Sequence, residues 1–159
     1  MNLNLRTAAI ASFLILSTAV PFGYVTAQTV KSVAGTYAIV STESFGEGAR
    51  GYLMLAPDGH YALTVMRATL PKFASGSRTK NTPGETKAVV DGSIAHVGTF
   101  TIDDGGKAIT FRIESSTFPN WDGTTQKRAL KLSGDLLTFT VAAPSGGGSS
   151  TDVVWRRVK

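Results

Sequence analysis

Gln126 and Arg128 are polar residues at strand positions that the neighbouring sequence assigns to the protein interior. The run 126–132 reads Gln-Lys-Arg-Ala-Leu-Lys-Leu, and the side chains of a strand alternate between its two faces. Gln126 and Arg128 therefore share a face with two leucines, while two lysines lie on the opposite, solvated face. A buried charge without a partner is costly. The pattern thus predicts a partner for Arg128, either within the protein or in a ligand.

The two kinds of partner lead to different functions. A guanidinium can hold a ligand carboxylate or enolate through two parallel hydrogen bonds, which is a strong and directional contact. Glu43 and Asp122 are the alternatives within the chain, and either would make Arg128 part of a buried structural network.

Two histidines are the candidate proton-transfer residues, because histidine ordinarily titrates near neutral pH. His60 opens a strand beside a turn, where a hydrogen bond to nearby backbone is the alternative role. His96 begins another strand and alternates with Phe100, which predicts an inward position. If the protein is an enzyme, His60 and His96 are the candidate catalytic residues.

The sequence lacks the residues that several common catalytic and metal sites require. The chain has no cysteine, and its two histidines do not have the close spacing of common zinc sites. No Gly-x-Ser-x-Gly elbow occurs, and the glycines at 146–148 are not followed by the lysine of a phosphate-binding loop. We therefore predict no metal site and no cofactor.

Aromatic, apolar and polar side chains converge if these strands enclose a space. Pockets for small molecules combine mostly apolar walls with a few polar groups that fix orientation. A barrel filled by its own side chains is the alternative. The predicted ligand-binding residues are Tyr52, Met54, Met66, Phe100, Phe111, Asn120, Trp121, Gln126 and Arg128.

Eight strand-like runs position these residues. They span 33–42, 51–56, 60–66, 97–102, 107–115, 124–132, 136–142 and 152–158. The turn Pro57-Asp58-Gly59 predicts a tight hairpin between the second and third runs. Eight short strands separated by turns favour an all-β, up-and-down antiparallel barrel, with a two-sheet sandwich as the alternative.

One helix is predicted within this barrel. Thr82-Pro83-Gly84-Glu85 is a capping box with proline at the first helical position, and apolar residues follow at helical spacing to about Ala95. The preceding run from Ala68 to Asn81 has no periodicity and carries proline, glycine and serine, which indicates a loop that is a candidate lid.

The first 27 residues are expected to be a cleaved secretory signal peptide. A short stretch with one cation precedes an apolar run from Ala8 to Val20, and Val25-Thr26-Ala27 offers small residues at a cleavage site. The barrel domain would then span 28–159. We expect an exported protein, periplasmic or secreted, with no stable membrane anchor after cleavage.

Composition restricts the partners further. The sequence has 159 residues and a net charge of +5, which becomes +4 without Arg6 of the signal (15 basic minus 11 acidic residues). No lysine or arginine run exceeds Arg156-Arg157, so the basic footprint of a nucleic-acid-binding protein is missing. The sequence indicates no particular oligomeric state.

Several segments together resemble a bacterial and fungal lipocalin-like domain family. The resemblance covers nearly the whole chain from Gly35 onward and is carried by Gly35-Thr-Tyr37, Arg50-Gly-Tyr-Leu53, Pro57-Asp-Gly-His60, Met66-Arg67, Asp91 to Phe100, Phe118-Pro-Asn-Trp-Asp-Gly-Thr124 and Val154-Trp-Arg-Arg157. It implies an eight-stranded barrel with an internal pocket for a small, largely apolar molecule. Lipocalins proper have a Gly-x-Trp motif at the start of the first strand, and an arginine of the last strand packs on its tryptophan ring. This chain has Gly35-Thr-Tyr37 at that position, so Tyr37 replaces the tryptophan, and Arg156 or Arg157 is the candidate for the arginine.

Three functions follow from these observations. The first is an exported barrel that binds a small apolar or amphipathic molecule, with Arg128 and Gln126 orienting its polar end. The second is an isomerase or cyclase on the same scaffold, in which His60 or His96 moves a proton. The third is a structural barrel with a filled interior and no ligand.

Overall fold

Eight antiparallel strands form a closed barrel in the computed structural model, which describes residues 28–103 and 105–159. The strands are β1 (Gly35–Thr42), β2 (Arg50–Leu55), β3 (His60–Met66), β4 (Ser93–Ile102), β5 (Ala108–Ser116), β6 (Thr125–Ser133), β7 (Leu136–Val141) and β8 (Thr151–Arg157). Each strand pairs with the next in the chain, and β8 pairs with β1. The predicted up-and-down barrel is confirmed, and the sandwich is excluded.

Two short helices accompany the barrel. Helix α1 (Val30–Val33) precedes β1, and α2 (Pro83–Asp91) lies between β3 and β4 with the predicted capping box formed by Thr82 and Glu85. The prediction that α2 continues to about Ala95 is wrong, because residues from Ser93 onward pair with β3 and belong to β4. Val33 was predicted to begin the first strand, but it is the last residue of α1.

The interior of β2 and β3 differs from the prediction. Leu53 and Leu55 are buried, whereas Tyr52 and Met54 lie on the outer surface with 55% and 50% of their area exposed. Both faces of β2 are apolar, so alternation alone does not indicate which one faces the core. The neighbouring strand β3 buries Tyr61, Leu63 and Val65, and Met66 lies half-buried on the outward face.

One end of the barrel is closed by Arg157. Its guanidinium lies 4.7 Å from the centre of the Tyr37 ring and donates hydrogen bonds to the carbonyl oxygens of Ala34 and Ser32 at the end of α1. The Tyr37 hydroxyl donates to the Val33 carbonyl oxygen at 2.7 Å. Arg157, and not Arg156, is therefore the arginine that packs on the first-strand aromatic.

Candidate functional site

A cavity of about 270 Å³ lies inside the barrel at the end opposite Arg157. It is surrounded by the ends of β1, β3 and β7, the starts of β4 and β8, Arg128 of β6, and the β7–β8 loop. Apolar side chains make most of the inner wall, namely Leu63, Val65, Phe139, Val141, Val153 and Trp155. The interior is thus packed towards the closed end and open towards the other.

Arg128 is the charged residue of the inner wall. Only 6% of its surface is exposed, and it lies 5.2 Å from the ring centre of Phe111 and 4.8 Å from that of Phe139. Its Nη2 donates a 2.6 Å hydrogen bond to Oε1 of Gln126. Strand alternation explains this placement, since Arg128 and Leu130 are buried while Lys127 and Lys131 are exposed, as predicted.

No carboxylate neutralises Arg128 among the residues that the structure describes. Glu43 and Asp122, the two internal candidates, are both exposed, and neither forms an ion pair with it. Burial lowers the pKa of Arg128 to about 10, an effect that the Coulombic interaction with Tyr61 opposes. The guanidinium therefore remains charged at neutral pH, within a wall of aromatic rings and one neutral amide.

His96 and Tyr61 form a neutral polar pair beside Arg128. The Tyr61 hydroxyl and Nδ1 of His96 are 2.8 Å apart, and both side chains are at least 96% buried. Burial, and secondarily the charge of Arg128, lowers the pKa of His96 to about 3. Burial also raises the pKa of Tyr61. His96 is therefore neutral near pH 7 and poorly matched to proton transfer there, because an efficient acid or base titrates near the working pH.

Strand alternation places His96 on the inward face of β4, which it shares with Gly98 and Phe100. Beside it, β5 contains a bulge: Val97 pairs with Ser115 while Gly98 pairs with Ile113, so Glu114 is an extra residue opposite β4. At Gly98 a β-carbon would lie 2.0 Å from the carbonyl oxygen of Arg112, and only glycine permits this close approach of the two strands.

Trp155 contributes a polar group that has no partner. The residue is fully buried, its ring centre lies 6.0 Å from that of Phe139, and it lines the cavity. Its Nε1 is the buried side-chain nitrogen or oxygen atom for which the described part of the chain provides no hydrogen bond. A buried donor in this state carries a desolvation cost of about 1–3 kcal/mol.

Trp121 forms part of the mouth. A 3-10 turn, Pro119–Trp121, follows β5 and presents this indole edge-on to Phe118 and His96, with ring centres 5.5 and 5.7 Å away. Asn120 of the same turn is exposed and does not line the cavity. The exposed Val90, at the end of α2, also lines the mouth.

The predicted site residues fall into two groups, those at the cavity and those away from it. Trp121, His96 and Arg128 line the cavity, Gln126 holds Arg128, and Phe111 packs against the guanidinium. Phe100 is buried in the core and does not line the cavity. The structure contradicts an inward position for three residues on outward faces, namely Tyr52, Met54 and Met66.

His60 also lies far from the cavity in which it was a candidate catalytic residue. It begins β3 at the end of the barrel opposite the cavity, about two-thirds exposed, with its Nδ1 3.2 Å from Asp58. The strand-end position agrees with the alternative, but the partner is the side-chain carboxylate of Asp58 and not backbone: this carboxylate accepts from the backbone nitrogen of His60 and lies beside its ring. No residue between 68 and 81 lines the cavity, so the candidate lid lies elsewhere.

Sequence reasoning missed Phe139, Trp155 and Tyr61. Each follows the alternation of its strand, and Val153 and Trp155 share the buried face of β8. That alternation was the available signal. It identifies inward residues but does not indicate which of them lie at the open end.

Residues 28–103 and 105–159 form neither a metal-binding cluster nor a helix that could cross a membrane. No cluster of three or more histidine, cysteine or acidic residues there has the arrangement to hold a metal ion. No helix in these ranges is long and apolar enough to cross a membrane.

Comparison with known proteins gives two findings. A family model described as a lipocalin-like domain matches residues 28–158. A protein of Aspergillus oryzae named 4'-hydroxy-3'-methoxypropiophenone carrier protein is 28% identical over 103 residues, which are 59% of this chain and 93% of that protein.

Proposed function

The chain belongs to the lipocalin-like domain family, and we propose that it binds a small apolar or amphipathic molecule non-covalently in the barrel cavity. One observation carries this proposal: an apolar cavity contains a buried guanidinium that no described carboxylate neutralises. The similarity to a protein named as a carrier supports the same function.

The cavity residues have separable roles in this proposal. The body of the ligand packs on Leu63, Val65 and Val153, where removal of apolar surface from water supplies the affinity. Arg128, held by Gln126, orients the polar end of the ligand. Trp121 covers the ligand at the mouth.

The size of the cavity restricts the ligand. A volume of about 270 Å³ lies near the lower limit of the roughly 300–1,000 Å³ that is usual for ligand pockets. A single-ring compound suits this volume. The name of the Aspergillus relative specifies a single-ring ketone that carries a phenolic hydroxyl, and a molecule of that class is our candidate for this chain.

Export remains part of the proposal. The expected signal peptide, residues 1–27, lies outside the described residues. Its apolar run and small-residue cleavage site support export to a periplasm or to the medium.

Native mass spectrometry of the protein purified from its own host tests both parts. We expect the mass of residues 28–159 together with one small molecule, which organic extraction then identifies. Trp121→Ala should weaken binding of the extracted molecule about tenfold, since it removes a large aromatic contact. Tyr52→Ala is the matched control, because it removes an aromatic residue from the outer surface.

Two results would contradict the proposal. Equal affinities of the Trp121 and Tyr52 variants would place binding outside the cavity. An uncleaved mass of 159 residues would contradict export while leaving the binding proposal intact.

A further inference from the structure

Arg128 has hydrogen-bonding capacity that the described residues leave unused, and it lines the cavity. A guanidinium carries five N–H donors, and the one hydrogen bond that Arg128 makes to the described residues goes to the neutral amide of Gln126. The rings of Phe111 and Phe139 contact the guanidinium but accept no conventional hydrogen bond. Arg128 therefore has both a charge and donors to offer in the cavity.

Trp155 is a second buried donor near Arg128, but its Nε1 does not face the cavity. Arg128 and the Trp155 indole both pack on the ring of Phe139, at 4.8 and 6.0 Å from its centre. Trp155 is fully buried, so its Nε1 lies beneath the surface of the cavity wall. Of the two donor groups, Arg128 is therefore the one that a ligand in the cavity can reach.

The remaining titratable groups around Arg128 do not supply a negative charge. Tyr61 and His96 are neutral near pH 7. Asp91 lies at the exposed mouth and is paired with Lys87 at 2.5 Å, and Glu114 is exposed on the outward face of β5. Among the described residues, Arg128 is consequently the charged group of the inner wall, while Asp91 lies at the mouth.

We infer that the cavity selects molecules with an ionised oxygen, a carboxylate or a phenolate, which accepts hydrogen bonds from Arg128. This inference rests on the proposed binding function and specifies the ligand's polar end. An anionic oxygen accepts hydrogen bonds from Arg128 and neutralises the buried charge, whereas a neutral ether or ester accepts a hydrogen bond but leaves the charge uncompensated. Because Arg128 is ionised with either acceptor, the preference comes from the attraction between opposite charges, which is stronger in an apolar cavity than in water.

A chromogenic phenol tests the preference directly. We would titrate 4-nitrophenol with pH in the presence and absence of the mature protein, following the absorbance of the phenolate. Because the anion should bind at least about tenfold more tightly than the neutral phenol, the apparent pKa of the bound phenol should fall by about one unit or more. Working between pH 5 and 9 keeps His96 neutral.

Matched compounds separate this inference from the proposed function. The neutral ether 4-nitroanisole should bind at least about tenfold more weakly than 4-nitrophenolate. Benzoate against methyl benzoate makes the same comparison for a carboxylate, and the larger of the two ratios identifies the preferred acid. Equal binding of anions and neutral analogues would overturn the inference and leave small-molecule binding standing. Failure of all four compounds to bind would overturn both.

Two variants assign the effect to the Arg128 guanidinium. Arg128→Met should abolish the pKa shift, whereas Arg156→Met, which removes an exposed arginine from the outer face of β8, should leave it unchanged. The comparison of 4-nitrophenolate with 4-nitroanisole in the wild-type protein tests the preference even if the Arg128 variant folds poorly. An unchanged pKa shift in Arg128→Met would overturn the assignment to Arg128.

Discussion

Arg157 and Arg128 place the same side chain in two contrasting environments at the two ends of the barrel. At the closed end, Arg157 donates to two backbone carbonyl oxygens and packs on Tyr37. At the open end, Arg128 donates to the Gln126 amide and packs on two phenylalanine rings. The ring contacts are alike, but the acceptors differ. A guanidinium whose donors are met by backbone closes the structure, and one whose donors are unmet forms a site.

Helix α1 explains why Arg157 finds acceptors. The last carbonyl groups of a helix have no partner within it, and Ser32 and Ala34 lie at the end of α1. A cation near this end is also favoured by the helix dipole. No described helix ends against Arg128, so its donors face the cavity instead.

The largest expected effect comes from removing the closed-end arginine. Arg157→Ala should lower the free energy of unfolding by about 2–3 kcal/mol, because it removes charged hydrogen bonds to two carbonyls and a cation–π contact. Urea denaturation measures this loss. The affinity of the folded variant for 4-nitrophenolate should not change, since the cavity lies at the other end. A decrease in the free energy of unfolding of less than about 0.5 kcal/mol would contradict the structural role assigned to Arg157 in this comparison.

The folding stability should depend on pH through His96, which lies at the open end of the barrel. The pKa of His96 is about 3 in the folded protein against an ordinary 6.5, so the unfolded chain binds more protons between these values. Folding stability should therefore be complete above pH 6.5 and decrease as the pH falls towards 3. From pH 7 to pH 5 His96 accounts for about 2 kcal/mol.

His96→Gln provides the measurement, because the amide can still hydrogen-bond with the Tyr61 hydroxyl. Urea denaturation at pH 7 and pH 5 should show a smaller decrease for the variant than for the wild-type protein. Asp58, Glu85 and Asp103 have lowered pKa values and titrate at more acidic pH, outside this interval. Identical decreases in both proteins would contradict a buried neutral His96.

The smallest effect concerns Arg128 and has the opposite sign. In the ligand-free protein, Arg128→Met should raise the free energy of unfolding by about 1 kcal/mol, because an apolar side chain of similar length replaces a buried charge without an ionic partner. Thermal and urea denaturation measure it. A loss as large as that of Arg157→Ala would show that Arg128 is a structural residue.

The sequence predicted the elements better than the cavity. Alternation in β6 correctly buried Arg128, the turn Pro57-Asp58-Gly59 joined β2 and β3, and the capping box at Thr82 began α2. These signals are local and are each determined by a few adjacent residues. The end of α2 was missed because pairing with β3 overrides the helical spacing of the residues that follow it.

The cavity lining depends on relations that are not local. Tyr52 and Met54 alternate as regularly as Leu53 and Leu55, so the buried face of β2 is decided by packing across the barrel. Trp155 and Phe139 lie at the cavity because of the stagger of the closed sheet, which fixes the depth of each inward residue. The unmet Nε1 of Trp155 becomes visible only when all neighbouring elements are in place.

The pairing of β1 with β8 has a kinetic consequence. The other seven strand pairs join segments adjacent in the chain, whereas this pair joins Tyr37 to Arg157 across almost the whole domain. Contacts between distant segments are costly to form early, so the β1–β8 seam should close late in folding. Arg157 strengthens this seam after the transition state, and its contacts should therefore slow the opening of the barrel more than they accelerate its formation.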